Sequence, residues 1–530
     1  MKKIFLIFIA LLMAVSTLFI SACSNTSTGV KGTLSIASFE GGYGKTWASK
    51  LAEAYKVHNP QAEVVVRTDP LVRDDAVTAL QTGISSVDLF FIDGASIGTY
   101  LETYDTIADI TELYELAPKA GQTQEDILVK DKIFSEVVEE MKYGGDREEF
   151  VGKYYTVPTP SGPCSLILNR DALNLALGEG NWEAPRTTNE MIALSDRIIA
   201  ANAKVNVAGI NHTIYPFIYS GGAAEYWRYM YYPWIAQYDG IEAFSNMQSY
   251  KISGEYNQAA FNPPSKILAF SIMEKILKRA NNYCDPTSMG NSFSASQKFF
   301  FQNRACMYVT GDWLEREMEA ATEYRADLIM LKSPIISDFS QKIEQQFSIN
   351  LGNTQQEKDI KLSTIIKDID DGKTSSEGIN QDAFDAIKQA RSVTYSLANN
   401  AIGIVPKSSI NKDMAIDFLR FMYSEEGIEI VMKETKANLP VHTSVKIDDV
   451  EYSAFRQSVN EIALGNIKYI FSSTKDPIRY RAGLDEYVRN EKPEIALGKK
   501  TGAMTALELV NNEVEVLARN WEDYMRLVAA

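Results

Sequence analysis

The chain has 530 residues, 45% of them hydrophobic, and a formal net charge of −16. Such a length supports two cores rather than one, and the acidic balance argues against a nucleic-acid partner. Three scattered histidines and four cysteines without CxxC spacing signal neither a metalloprotease, nor a disulfide framework, nor a thiolate metal site.

The first element is a leader. Lys2 and Lys3 precede an apolar run from Ile4 to Ile20, which ends in the small residues Ser21 and Ala22 before Cys23. A run of about 17 apolar residues is short for a spanning helix, and no basic flank follows it. The stretch closely resembles the lipobox of bacterial lipoproteins. That resemblance implies cleavage of residues 1–22, acylation of Cys23 (diacylglyceryl, palmitate-type chains), and a mature chain anchored to the outer face of the cytoplasmic membrane. Two acyl chains suffice for stable anchoring, at about 0.8 kcal/mol per buried methylene.

Residues 23–31 form a polar leash. Thr33 to Phe39 reads as an apolar strand, Lys45 to Val57 as a helix ended by Asn59-Pro60, Glu63 to Arg67 as a β-branched strand, Asp74 to Thr82 as a helix, and Val87 to Ile92 as a buried parallel strand. This alternation predicts an α/β sheet, whose ligands gather at the carboxyl ends of the strands. Those ends are Glu40-Gly41-Gly42-Tyr43 and Asp93-Gly94-Ala95-Ser96. Between Gly152 and Asn169, two apolar strands are separated by Pro158, Pro160, Gly162 and Pro163, which suits a crossing between lobes. Thr187 and Glu190 form a capping box before a helix to about Ala201. Aromatics then crowd Tyr215 to Tyr238, and a helix spans about Ser265 to Ala280. Phe299 to Trp313 is a helix end, a strand and a Gly-Asp-Trp turn, and Arg325 to Leu331 another strand. Residues 338–400 are polar and helical without a clear core stripe. Ile402 to Val405 is a strand, Lys412 to Tyr423 a helix, Leu439-Pro440 a further crossing, and the remainder helical to the C-terminus.

Several partial motifs point nowhere. FEGGYGKT at Phe39 to Thr46 lacks the first glycine of a phosphate-binding loop, so its glycines are expected to let the backbone approach some other ligand. Asp368 to Gly372 approaches a calcium loop, but its glycine comes one position early. No cofactor or metal site is expected. Carboxylate pairs for glycoside hydrolysis are as open as in any acidic chain of this size. The rings at 215 to 238 suit either packing or stacking on sugars.

Taken in order, the lipobox, TLSIASFEGGYG, VDLFFIDG, YYTVP with LILNRDAL, PRTTNEMIAL, FFFQNRACMYVTGDW, and AIGIVPKSS with MAIDFLRFMYSEEG resemble the extracellular solute-binding proteins of ABC importers, specifically the sugar-binding branch that includes the maltose-binding protein family. The resemblance implies an α/β, two-lobe periplasmic-binding-protein type II fold with several hinge crossings and added C-terminal helices. Lobe 1 would comprise 32–160 and about 400–438, lobe 2 would comprise 161–334 and about 439–530, and 338–400 would be an insertion near a crossing. It implies capture of a carbohydrate, delivery to an ABC permease, a monomer, and no enzymatic activity. The alternatives are an extracellular glycan-acting hydrolase or a binder of a non-sugar solute such as a peptide. By resemblance Trp313 stacks on a sugar ring and Glu40 and Asp93 bond its hydroxyls. Tyr43 and Asp312 come next, then Tyr215, Trp227 and Trp234 as platforms that could equally be core.

Overall fold

The computed structural model describes residues 31–145, 147–319, 325–442, 452–472, 475–484 and 491–529. The leader, the lipobox with Cys23 and nearly all of the leash lie outside them. Two sheets organise the rest, built from β1 (Gly32–Phe39), β2 (Ala62–Asp69), β3 (Leu89–Asp93), β4 (Thr156–Pro158), β5 (Pro163–Asn169), β6 (Tyr215–Ile218), β7 (Ala305–Gly311), β8 (Leu328–Met330), β9 (Val393–Ser396), β10 (Ala401–Ile404) and β11 (Lys468–Ile470).

The first sheet has the order β2-β1-β3-β10-β4. β1 runs parallel to β2 and β3, and β10 returns antiparallel to β3 and β4. Buried on both faces, β3 needs its unbroken Leu-Phe-Phe-Ile run, whereas the edge strand β2 alternates. The helix Trp47–His58 covers this sheet, placing Trp47 on Phe91 at 4.8 Å between centroids and the Tyr55 hydroxyl 2.9 Å from Asp417 as its donor.

The second sheet has the order β6-β7-β5-β9-β11, with β8 also pairing β5. β5 is buried throughout and antiparallel to β7, β8 and β9. The predicted capping box forms, with Thr187 accepting from the Glu190 amide and Glu190 returning the bond. Residues 338–400, expected as an insertion near a crossing, contribute to the second core. Leu362, Ile365, Ile366, Phe384 and Ile387 are fully buried in the second core, and the segment supplies β9, an internal strand. Their apolar stripe is narrow and set among many lysines and aspartates, so composition hid it. The acidic end of the helix Gln355–Asp370 is filled by protein cations, with Asp368 taking Lys373 and Asp370 taking Arg391 and Lys332.

Two short connections join the sheets, 159–162 between β4 and β5 and 397–400 between β9 and β10, and the chain passes from the first sheet to the second once more between β10 and β11. Near the first, the Ser161 amide donates to the Asn438 carbonyl at 3.1 Å. The last helix, Ala506–Ala529, packs on the helix Ser265–Leu277 through a buried Lys266–Glu513 ion pair of 2.8 Å. Burial lowers the Lys266 pKa against the pull of that carboxylate. Cys164, Cys284 and Cys306 are free thiols, each pushed upward by burial.

Candidate functional site

The loop after β1 and the turn after β7 meet between the lobes. The amide of Gly44 donates to the Gly41 carbonyl at 2.9 Å, closing a turn whose φ of +79° at Gly44 favours glycine. A Cβ on Gly42 would come within 2.7 Å of the Trp313 side chain. Gly42 and Gly44 therefore let the loop approach the opposite lobe, at Trp313 and Arg316. On that side the Trp313 ring folds back over Gly311, where a Cβ would lie 2.0 Å from it.

Asp312 and Tyr43 lock the two pieces together. The Tyr43 hydroxyl donates to Asp312 Oδ1 at 2.8 Å, and Arg456 Nη2 lies 3.6 Å from Oδ2. Burial raises the Asp312 pKa, opposed by Arg456 and by the Tyr43 hydrogen bond. Burial first, and the Asp312 charge second, hold the Tyr43 phenol well above its ordinary range. Asp312 is thus a buried strut behind the cleft.

Beside this strut opens a cavity of about 470 Å³. One wall is Phe39 to Gly44, Trp47, Arg73 and Phe91 to Asp93; the other is Glu225, Tyr226, Arg228, Tyr229, Phe293, Trp313 and Glu317; Thr159, Pro160, Leu397 and Asn400 from two sheet connections and Ala401 at the start of β10 complete it. Trp313 stands edge-on to Tyr43, Tyr226 and Tyr229, with centroids 6.4, 6.0 and 6.3 Å away, and Tyr226 stacks on Tyr229 at 5.2 Å. Across from these rings, Asp93 accepts from Arg73 Nε at 2.8 Å, and the guanidinium lies over Phe39. Glu225 pairs with Lys492.

Glu317 takes a hydrogen bond from the Gln297 side chain, yet burial pushes its carboxyl up to about 7. A carboxyl raised in the native state binds its proton more tightly there than in the unfolded chain, so stability falls as pH rises from 4.5 to about 7. In ligand-free melts across that window, Glu317→Gln is expected to flatten the decline; an unchanged slope would contradict the raised carboxyl.

Four nominated residues, Trp313, Glu40, Tyr43 and Asp93, line this cavity. Asp312, Trp227, Trp234 and Tyr215 do not. Trp227 is 1% exposed and packs on Phe217 and Tyr219. Trp234 is fully buried, its Nε1 donating to the Pro334 carbonyl at 3.0 Å. Tyr215 sits on the edge strand β6, opposite Ala305 and away from the cleft. The rings that do reach the cavity, Tyr226 and Tyr229, are three apart where the turn Gly221–Trp227 enters the helix Arg228–Asp239, whereas Trp227 and Trp234 share another face, seven apart. Their spacing was readable, but the direction of either face was not. Arg73, Glu225, Arg228, Phe293 and Glu317 carried no local signal, since each enters through tertiary packing.

Residues 50–455 match the family model described as bacterial extracellular solute-binding protein. No curated protein matches the chain in sequence. Among solved structures, a chitin oligosaccharide binding protein aligns over 95% of this chain and 100% of its own, with a TM-score of 0.58 at 14% identity. The GacH receptor of Streptomyces glaucescens, described unliganded and with acarbose, aligns over 93% and 100%, with a TM-score of 0.56 at 14% identity. The substrate-binding protein Lmo0181 from Listeria monocytogenes, in complex with cycloalternan, aligns over 93% and 100%, with a TM-score of 0.57 at 15% identity. At these identities the likeness carries the two-lobe fold. Among the described residues no helix is long and apolar enough to cross a membrane. With the model matching most of its length, the chain belongs to the bacterial extracellular solute-binding protein family.

Proposed function

We propose that the protein captures an oligosaccharide between its lobes and delivers it to an ABC permease while tethered through acylated Cys23, working as a monomer and without altering the ligand. The observation that carries this reading is the aromatic wall of Trp313, Tyr226 and Tyr229 facing Glu40 and Asp93 across a cavity of about 470 Å³. Ring faces stack on the C–H groups of a pyranose while carboxylates accept from its hydroxyls, and a volume of this order is typical of small-molecule sites. Structural neighbours whose names include chitin oligosaccharide, acarbose and cycloalternan lend support. The residues proposed to bind are Trp313, Glu40, Tyr43 and Asp93, joined by Tyr226 and Tyr229.

A panel of oligosaccharides tests this by thermal melting. A bound glycan at a hundredfold excess over Kd is expected to stabilise the protein by about 2.7 kcal/mol. A shift with peptides or amino acids and none with glycans would overturn the sugar reading. Hydrolysis is the second reading, favoured by the raised carboxyl of Glu317, which has the character of a general acid. Intact recovery of every bound glycan is expected, and shortened products would establish hydrolysis instead.

A further inference from the structure

The cavity's charges are unevenly matched. Asp93 is paired with Arg73 and Glu225 with Lys492. Glu317 is different, for among the described residues no cation pairs with it. Its neighbour Arg316 is turned to Glu319, which also takes Lys436. The groups that face Glu317 from the surrounding elements are Gln297 on the helix Phe293–Phe301, Tyr308 on β7, and Tyr226 at the turn before the helix Arg228–Asp239, with Glu225 and Arg228 on the same wall of the cavity. Of these only Gln297 bonds to the carboxyl, and it is uncharged. A carboxyl removed from water without a countercharge weakens the fold at neutral pH, and a ligand that brings the countercharge would recover that loss.

We infer that the ligand of this cleft carries a protonated amine and seats it on Glu317, with the rings of Trp313, Tyr226 and Phe293 around the same cavity favouring the cation. The inference rests on the reading of this cavity as the ligand site. A hydroxyl could accept or donate one hydrogen bond here but would leave the carboxylate unneutralised. An ammonium forms a charge-assisted bond that gains strength out of water, and aromatic faces attract the same charge. Two sources present this chemistry, an aminated oligosaccharide and a linear polyamine; the saccharide agrees with the polar wall formed by Glu40 and Asp93.

The test is calorimetric titration at pH 7 with three matched oligosaccharides (glucosamine, N-acetylglucosamine and glucose oligomers of one length) and with spermidine. The glucosamine oligomer is expected to bind about ten- to a hundredfold more tightly than its acetylated and neutral counterparts. In Glu317→Gln that ratio should fall to about one. Because Glu317 titrates at about 7, ammonium binding should also release protons, so the wild-type binding enthalpy should differ between phosphate and Tris buffers. This second measurement needs no variant. Equal binding of aminated and neutral glycans by the wild type, or a ratio kept in Glu317→Gln, would overturn the inference. Spermidine binding without any glycan binding would uphold the amine seat and reject the saccharide. Binding of neutral glycans alone would uphold oligosaccharide capture and reject the amine seat.

Discussion

Replacing Trp313 with alanine is expected to weaken glycan binding by about 2–4 kcal/mol, a loss of about thirty- to several hundredfold in affinity, as for a buried aromatic anchor at the centre of a contact. The ring is only 7% exposed, bounded by Tyr43 from one lobe and by Tyr226 and Tyr229 from the other. A ligand ring against it would be desolvated on both sides. Trp313→Phe, which keeps a smaller ring, should fall between the two in titration. Wild-type affinity in Trp313→Ala would remove Trp313 from the site.

The second large effect is expected at Arg456, the first residue past the region matched to the family. Its side chain is 4% exposed and faces the fully buried carboxyl of Asp312, which Tyr43 reaches from the other lobe. Arg456→Met leaves that carboxyl without a countercharge, and loss of one partner of a buried pair costs about 3–5 kcal/mol. The Asp312 pKa is already raised, so protonation can relieve the deficit, which should shrink as pH falls. The double variant Asp312→Asn, Arg456→Met should recover most of the loss. Denaturant unfolding at neutral and mildly acidic pH measures all of these. A single variant as stable as the wild type, or a double variant no better than the single, would show that the pair does not stabilise the fold.

Much of the first sheet was legible because its signal is local. The apolar run Leu89 to Ile92 and the strand-to-helix alternation before it announce a buried, largely parallel sheet, and the strand ends placed Glu40, Tyr43 and Asp93 beside the cavity. The second sheet was less so. β9 and β11 are short and pair with strands far away in the chain, Tyr395 opposite Cys164 and Val393 opposite Lys468, so nothing nearby specifies them. The resemblance points to Asp312, and nothing local shows its pairing with Arg456, which is distant in sequence. Among the clustered aromatics, a single residue step separates the buried Trp227 from the cavity-lining Tyr226, and that phase is set by the packing of Trp227 on Phe217.

A crystal structure with the glycan giving the largest melting shift tests capture between the lobes most directly. Density is expected for a pyranose ring against Trp313, with hydroxyls toward Glu40 and Asp93, inside the cavity completed by Thr159, Pro160 and Asn400. A glycan seated outside the cleft, as in the surface groove around Trp182 and Arg186, with the cavity between the lobes empty, would contradict it.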